Sequence, residues 1–338
     1  MRILLHMGQG KTGTTALQRA LHANRKLLAQ HGIFYPAFAR HTVAHHMLIA
    51  LCVAGDRVPP HVLEPFGSLD MLRAKAAAAL YQLKAEVEQT RPKVLILSSE
   101  TFFHGLQRPG GERLARMLAP LSSDICPVAY VREPGSLYRS RLQERMRVAA
   151  TPLPPAAQRI RQSLEDSEAV WGGVSVCPYD PARLVDGDIL RDFATRFLAD
   201  LIDPCFLRAR SRNRSLSAEA ILIISRFRKL VAPDRDWHQE ARSDRLLQRL
   251  LAIEATGPRS PVALRPGIAD SVRRASTDYL WLRDHHGVTF PEIDYAKIDG
   301  VLPAEEMTRR PLEDLILLDR DRYDEMLLSV LAAEMGSH

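Results

Sequence analysis

The stretch Met1-Arg-Ile-Leu-Leu-His-Met-Gly-Gln-Gly-Lys-Thr-Gly-Thr-Thr15 decides how the rest of the chain is read. Its apolar run, Ile3, Leu4, Leu5 and Met7, suits a buried parallel strand, and Gly8, Gly10 and Gly13 then let the backbone turn tightly with its amides inward. Such a turn binds anions. A helix is predicted from Thr14 to about Gln30, carrying Leu17, Ala20, Leu21, Leu27 and Leu28 on one face and stopping at His31-Gly32. Its N-terminus adds partial positive charge to the turn, Lys11 adds a full charge, and Thr12, Thr14 and Thr15 add hydroxyl donors.

Working outward, short apolar strands alternate with helices. Strands are expected at Ile33–Pro36, Lys93–Ser98, Pro127–Val131 and Val174–Tyr179, and helices at His41–Ala54, Leu69–Gln89, Arg113–Leu121, Ser136–Val148 and Asp188–Leu201. Gly55–Ser68 reads as a Pro/Gly-rich surface loop. Parallel strands need long crossovers and become buried on both faces, so the pattern predicts an α/β fold with a central parallel sheet flanked by helices, a P-loop-like three-layer core. The ligand site of such a fold lies outside the carboxyl ends of the strands. There the turns after Met7, Ser98 and Val131 are expected to converge, bringing Lys11, Glu100 and Arg132. Beyond about Ser215 the pattern is helical, over Ala218–Leu230, Asp244–Ala255, Pro266–His285 and Pro311–Met335, with a Pro/Gly linker from Gly257 to Gly267. The expected division is an α/β core over 1–215 and a helical extension over 216–338.

The chain has 338 residues, 46% hydrophobic and 25% charged, enough to bury a full core and unlike a disordered segment. No apolar run approaches the roughly 20 residues of a membrane span, and no charged leader with an apolar region precedes the first strand, so a cytoplasmic protein is expected. Cys52, Cys126, Cys177 and Cys205 are widely spaced without a C-x-x-C pair and read as buried thiols, neither metal ligands nor disulfides. A net charge of +6 favours an anionic partner. The arginines cluster at Arg132, Arg139, Arg141, Arg145 and Arg147 and again at Arg208, Arg210, Arg212 and Arg214, with only Tyr130 and Tyr138 near the first cluster. A nucleic-acid surface interleaves more aromatics, so small anionic ligands are favoured over nucleic acid.

A nucleoside-triphosphate loop reads G-x-x-x-x-G-K-[ST], which Gly10-Lys11-Thr12 imitates at its end; Leu5 stands where the first glycine belongs, and Gly13 follows the lysine. A Mg-ATP site is therefore disfavoured. The segment His6-Met-Gly-Gln-Gly-Lys-Thr-Gly-Thr-Thr-Ala-Leu-Gln18 instead resembles the 5'-phosphosulfate loop of sulfotransferases that use 3'-phosphoadenosine 5'-phosphosulfate (PAPS), in particular the bacterial, carbohydrate-type branch. A second match lies in Val128-Ala-Tyr-Val-Arg-Glu-Pro-Gly-Ser-Leu-Tyr-Arg-Ser140: an arginine at a strand's end and a serine eight residues on, the R-x7-S spacing that binds the 3'-phosphate in that family. The resemblance covers roughly residues 1 to 220. It implies PAPS as sulfuryl donor, adenosine 3',5'-bisphosphate as product, no metal, and a small-molecule or saccharide acceptor. By the same resemblance Gly8, Gly10, Lys11, Thr12, Gly13, Thr14 and Thr15 hold the 5'-phosphosulfate, Arg132 and Ser140 hold the 3'-phosphate, and Lys11 neutralises the oxygen that leaves.

Glu100, after the strand Lys93–Ser98, is the first candidate for the general base, since a carboxylate at a buried strand's end is costly unless it is used or paired. A Walker-B-like role for it is weakened by the interposed Ser98-Ser99. His45 and His46 are the alternative bases. His6 reads as packing, and His285-His286 beside Gly287 as a helix end. Ser215 or Ser217 is expected to cap the helix from Ala218, and Arg212 or Arg214 to close over the 3'-phosphate, because the basic glycine-containing loop of animal cytosolic sulfotransferases is not recognisable. Two other classes stay open: a nucleotide-dependent kinase or NTPase, and a non-enzymatic anion-binding module.

Overall fold

A computed structural model of the chain describes residues 1–38, 43–208, 216–232, 241–256, 261–301 and 310–335, with backbone alone for 256 and 333–335. The described residues form two compact units, Met1–Arg132 with Ile160–Arg212 and Trp281–Phe290, and Glu133–Arg159 with Asn213–Leu280 and Pro291–His338. The grouping departs from chain order: Glu133–Arg159 belongs with the helical unit, and Trp281–Phe290 with the sheet.

The first unit is an α/β layer structure. Its sheet has five parallel strands, β1 (Arg2–His6), β2 (Ile33–Phe34), β3 (Val94–Ser98), β4 (Ile125–Val131) and β5 (Ser175–Pro178), in the order β2-β3-β1-β4-β5. Both faces are buried, which is why the strands read as continuous apolar runs. On one face Leu4, Ile96, Val128, Tyr130 and Cys177 pack against Leu17, Leu21 and Leu28 of helix α1 (Thr14–Gln30) and Leu190 and Phe193 of the helix Ile189–Phe197. The alternate set, Ile3, Leu5, Leu95, Leu97, Ala129 and Val131, is buried as well, and the helix Arg161–Trp171 meets β4.

Two features of this sheet place a site. The chain leaves β1 toward β2 on one side and leaves β4 toward β5 on the other, so a crevice opens between the neighbours β1 and β4. In addition, β1 ends at His6, opposite Ser98 and Val128, whereas β4 continues to Val131 and flanks the turn that follows β1.

The second unit is helical, with Tyr138, Leu142 and Met146 of the helix Pro134–Val148 in one core with Ile221 and Ile224 of Ala218–Val231, Leu250 of Ala241–Thr256, Val272 of Ile268–Ala275 and Met326 of Arg320–Met335. Ser217 caps the helix Ala218–Val231 as expected, accepting a hydrogen bond from the Ala220 N–H. Among the described residues no helix is long and apolar enough to cross a membrane.

Several boundaries differ from expectation. The helix expected at His41–Ala54 is a turn at His46–Leu48 followed by Ile49–Cys52, because His45 is drawn out of helical geometry to bond the end of β3. Residues 55–68 hold three short helical turns within the expected loop. The helix Gln107–Leu118 starts before Arg113, and the expected helix Pro266–His285 breaks at Ser276-Thr277 into Ile268–Ala275 and Asp278–His286. The last helix is Arg320–Met335 rather than Pro311–Met335. All four cysteines are free thiols; Cys52 and Cys177 are buried as expected, Cys126 is half-buried, and Cys205 is exposed because it lies on the turn Pro204–Phe206.

The sequence reading missed one buried anchor. Asp192 is fully buried and accepts hydrogen bonds from Tyr130 Oη at 2.7 Å, Arg196 Nε at 2.7 Å and the Val185 amide at 3.3 Å. Replacing it leaves the Tyr130 hydroxyl unpaired in the core, so Asp192→Ala is expected to cost about 3 kcal/mol or more of unfolding free energy, and Tyr130→Phe only about 1 kcal/mol. Urea denaturation of the two variants checks the ranking.

Candidate functional site

The turn from β1 to α1 is built from inside. Met7 N–H donates to the Val128 carbonyl at 2.8 Å, which fixes the start of the turn on β4. Lys11 (φ 71°) and Gly13 (φ 76°) both take left-handed backbone conformations. For lysine this is a strained choice, so other contacts must hold it. A Cβ on Gly8 would stand 2.3 Å from Thr14 Oγ1, and one on Gly13 would stand 2.9 Å from the Tyr179 ring, so both glycines allow close packing of the loop. No side chain caps α1, and no acidic residue stands in its first turn. The positive end of that helix is therefore not neutralised locally.

A reciprocal clasp ties the loop to β4. The Arg132 backbone N–H donates to Gln9 Oε1 at 3.0 Å, and the Arg132 guanidinium donates to the Lys11 carbonyl at 3.0 Å. The guanidinium carbon also lies 5.5 Å from the centre of the Tyr179 ring, whose backbone N–H bonds the Val131 carbonyl at 2.6 Å. Arginine serves here because its planar fork can hydrogen-bond and stack at once. Gln9 is fully buried, and its Nε2 has no hydrogen-bond partner among the described residues.

Beneath the loop, a buried polar layer joins the carboxyl ends of β1 and β3. His6 Nδ1 lies 2.7 Å from Ser98 Oγ, and Gln18 Nε2 from α1 donates to the same oxygen at 3.1 Å. The Ser98 amide donates to His45 Nδ1 at 2.8 Å, which leaves Nε2 as the protonated nitrogen, donating to the Pro36 carbonyl at 3.0 Å. Both nitrogens of His45 are thus spent on the backbone, and burial holds its pKa down to about 4. His45 positions the end of β3; it does not offer a nitrogen to an acceptor. His6, packed edge-on to Tyr130 and Phe193, is likewise buried and held down to about 4, which agrees with a packing role.

His46 differs. Its Nδ1 lies 2.8 Å from Ser99 Oγ, which lies 2.7 Å from Thr101 Oγ1, and its Nε2 has no hydrogen-bond partner among the described residues. Burial, and after it the nearby His61, lowers its pKa to about 4, so the ring is neutral near pH 7. Glu100 sits between Ser99 and Thr101, half-buried at the start of the short helix Thr101–Gly105.

The first unit alone therefore contains the loop with Lys11, Glu100 and Arg132 after the carboxyl ends of adjacent strands, and His46, which reaches Ser99 there. Gly10 has open space around it, and Thr14 and Thr15 open α1, Thr14 buried and Thr15 exposed. Thr12 departs from its expected role, since its hydroxyl is buried and donates to the Gln9 carbonyl at 2.6 Å; it shapes the loop from within. Ser140 lies half-buried on the helix Pro134–Val148, in the second unit. Arg212 and Arg214, with Ser215, lie outside the described residues. Gln9, Gln18 and Tyr179 went unpredicted. Gln9 and Gln18 stand inside the quoted motif as candidates for polar contacts, but Tyr179 carries no local signal.

The three depressed imidazoles give a prediction. The unfolded chain binds protons on His6, His45 and His46 near their ordinary value of 6.5, while the fold refuses them until about 4. Their contribution is fully present above pH 6.5 and is lost as pH falls from 6.5 toward 4. The urea midpoint is expected to be steady just above pH 6.5 and to drop through that window; a flat profile would remove the assignment of these rings as neutral.

No protein-family model, curated protein or solved structure matches this chain.

Proposed function

We propose that the chain is a sulfotransferase, with PAPS as donor and a hydroxyl or amine of a saccharide or other small metabolite as acceptor. The observation that carries the reading is the clasped loop. Its left-handed turn at Lys11, the uncapped start of α1 and the Arg132 guanidinium lie together at the switch point of the sheet, and Glu100 and the neutral His46 belong to the end of the adjacent strand β3. The loop sequence and the R-x7-S spacing resemble those of that family, and a cationic loop is the surrounding that such a donor needs.

PAPS, when bound, supplies a sulfuryl group joined to phosphate through one oxygen. The loop amides and α1 hold the phosphosulfate end, with Thr14 and Thr15 beside it. Lys11 stabilises the negative charge that grows on the bridging oxygen as its bond to sulfur breaks. Glu100 takes the acceptor's proton as the new bond to sulfur forms. Arg132 and Ser140 are assigned to the 3'-phosphate on the sequence pattern alone. Catalysis of this kind rests on positioning and charge stabilisation.

A magnesium-dependent kinase or NTPase is the rival. Its metal ligand would be the residue after the lysine, and the Thr12 hydroxyl is buried and turned to Gln9. Calorimetry separates the two classes: adenosine 3',5'-bisphosphate is expected to bind without magnesium and more tightly than ADP. An anion-binding module would instead show steep salt dependence and no preference for the 3'-phosphate.

Two substitutions test the roles. Lys11→Ala is expected to lower turnover at least about 10²-fold with the fold intact, as for the loss of one transition-state donor. Glu100→Gln is expected to lower it by roughly 10² to 10⁴-fold, the usual contribution of a general base. If His46→Gln has that effect and Glu100→Gln does not, the base is His46.

A further inference from the structure

The surroundings of His285-His286 give the pair a use beyond ending a helix. Gly287 does end the helix, with φ 66° and its N–H on the Arg283 carbonyl at 3.0 Å, but that cap needs neither histidine. His285 Nε2 lies 3.4 Å from Glu168 Oε2, and His286 Nε2 lies 3.5 Å from Glu168 Oε1. Among the described residues this is the one group of three His, Cys, Asp or Glu side chains whose ligand atoms all lie within 4.8 Å of one another.

The spacing is informative. Both contacts exceed the usual N–H···O range of about 2.7–3.2 Å, and His286 Nε2, buried, has no hydrogen-bond partner. Two ligand atoms each about 2.0–2.1 Å from a tetrahedral zinc ion stand roughly 3.3–3.4 Å apart. The two histidine–carboxylate separations are thus wider than hydrogen bonding favours and close to what a shared ion requires, and all three ligand atoms lie within 4.8 Å of one another. Their orientation is also fixed. Successive residues of a helix point about 100° apart, yet these two rings converge on one carboxylate, at 5.1 Å between centroids and 80° between planes. Trp281 stacks on His285 at 4.9 Å and 18° and meets His286 edge-on at 5.0 Å, while the Arg161 guanidinium lies 5.6 Å from the Trp281 ring.

We propose that Glu168, His285 and His286 bind a zinc-type divalent ion, with water or a further ligand in the fourth position. The ligands belong to two segments of the first unit, the helix Arg161–Trp171 and residues 281–290, so the ion fastens the segment contributed from the C-terminal third of the chain. Two histidines and a carboxylate suit zinc, and the partial exposure of the group, 52% for His285 and 27% for Glu168, gives the ion a way in. The inference is independent of the sulfotransferase reading, since no residue assigned to the donor takes part.

The test uses the full chain, freed of metal by chelator, and titrates it with Zn²⁺ by calorimetry while following thermal unfolding. One ion per chain and a raised Tm are expected. Glu168→Gln, His285→Gln and His286→Gln are each expected to weaken that binding at least about 100-fold, beyond the 10–100-fold typical of second-shell partners. His22→Gln, outside the cluster, leaves it unchanged. If His286→Gln does not fold, the more exposed Glu168 and His285 variants decide. Absence of saturable Zn²⁺ binding, or binding that survives in Glu168→Gln, overturns the site.

Discussion

The clasp between Gln9 and Arg132 is the contact on which the candidate site depends. Each residue satisfies the other's neighbourhood: the Gln9 side chain accepts from the N–H of Arg132, and the Arg132 side chain donates to the carbonyl of the strained Lys11. A left-handed lysine costs on the order of 1–2 kcal/mol, and a charged hydrogen bond to its carbonyl is of the size needed to offset that cost. The clasp is possible only because β4 outruns β1, so that the loop lies beside a strand rather than beside solvent.

The polar layer under the loop solves a second problem. Strand ends in a parallel sheet bury amides and carbonyls that have no strand partner, and an unpaired group there costs about 1–3 kcal/mol. Ser98 resolves this by serving several elements at once, touching His6 of β1, Gln18 of α1 and, through its backbone, His45. Those bonds sort the histidines. His45 is locked by two backbone partners and His6 is sealed in the core, while His46, one residue on, keeps one ring nitrogen uncommitted among the described residues.

Much of this was legible in the chain itself. The loop, α1 and the strand ends carrying Glu100 and Arg132 stand where periodicity and glycine placement put them, because a buried parallel strand and an amphipathic helix each leave a strong local pattern. The pair His45-His46 was legible as a candidate but not as two different residues, since the difference arises from Ser98 and Pro36, distant in sequence. Thr12 reads as a ligand donor by motif, and only the fold turns its hydroxyl inward. Asp192 and Tyr179 gave no signal, because a lone aspartate in an amphipathic helix and a tyrosine after a strand are common.

Sequence alone thus determined the α/β class, the glycine-rich turn after the first strand and the side chains that stand near it, all of which follow from local spacing. Tertiary structure decided which groups are spent and which remain. It set strand order, the overrun of β4 and the meeting of Glu168 with His285 and His286. These depend on pairings between residues far apart in the chain, and hydrophobic periodicity carries no record of them.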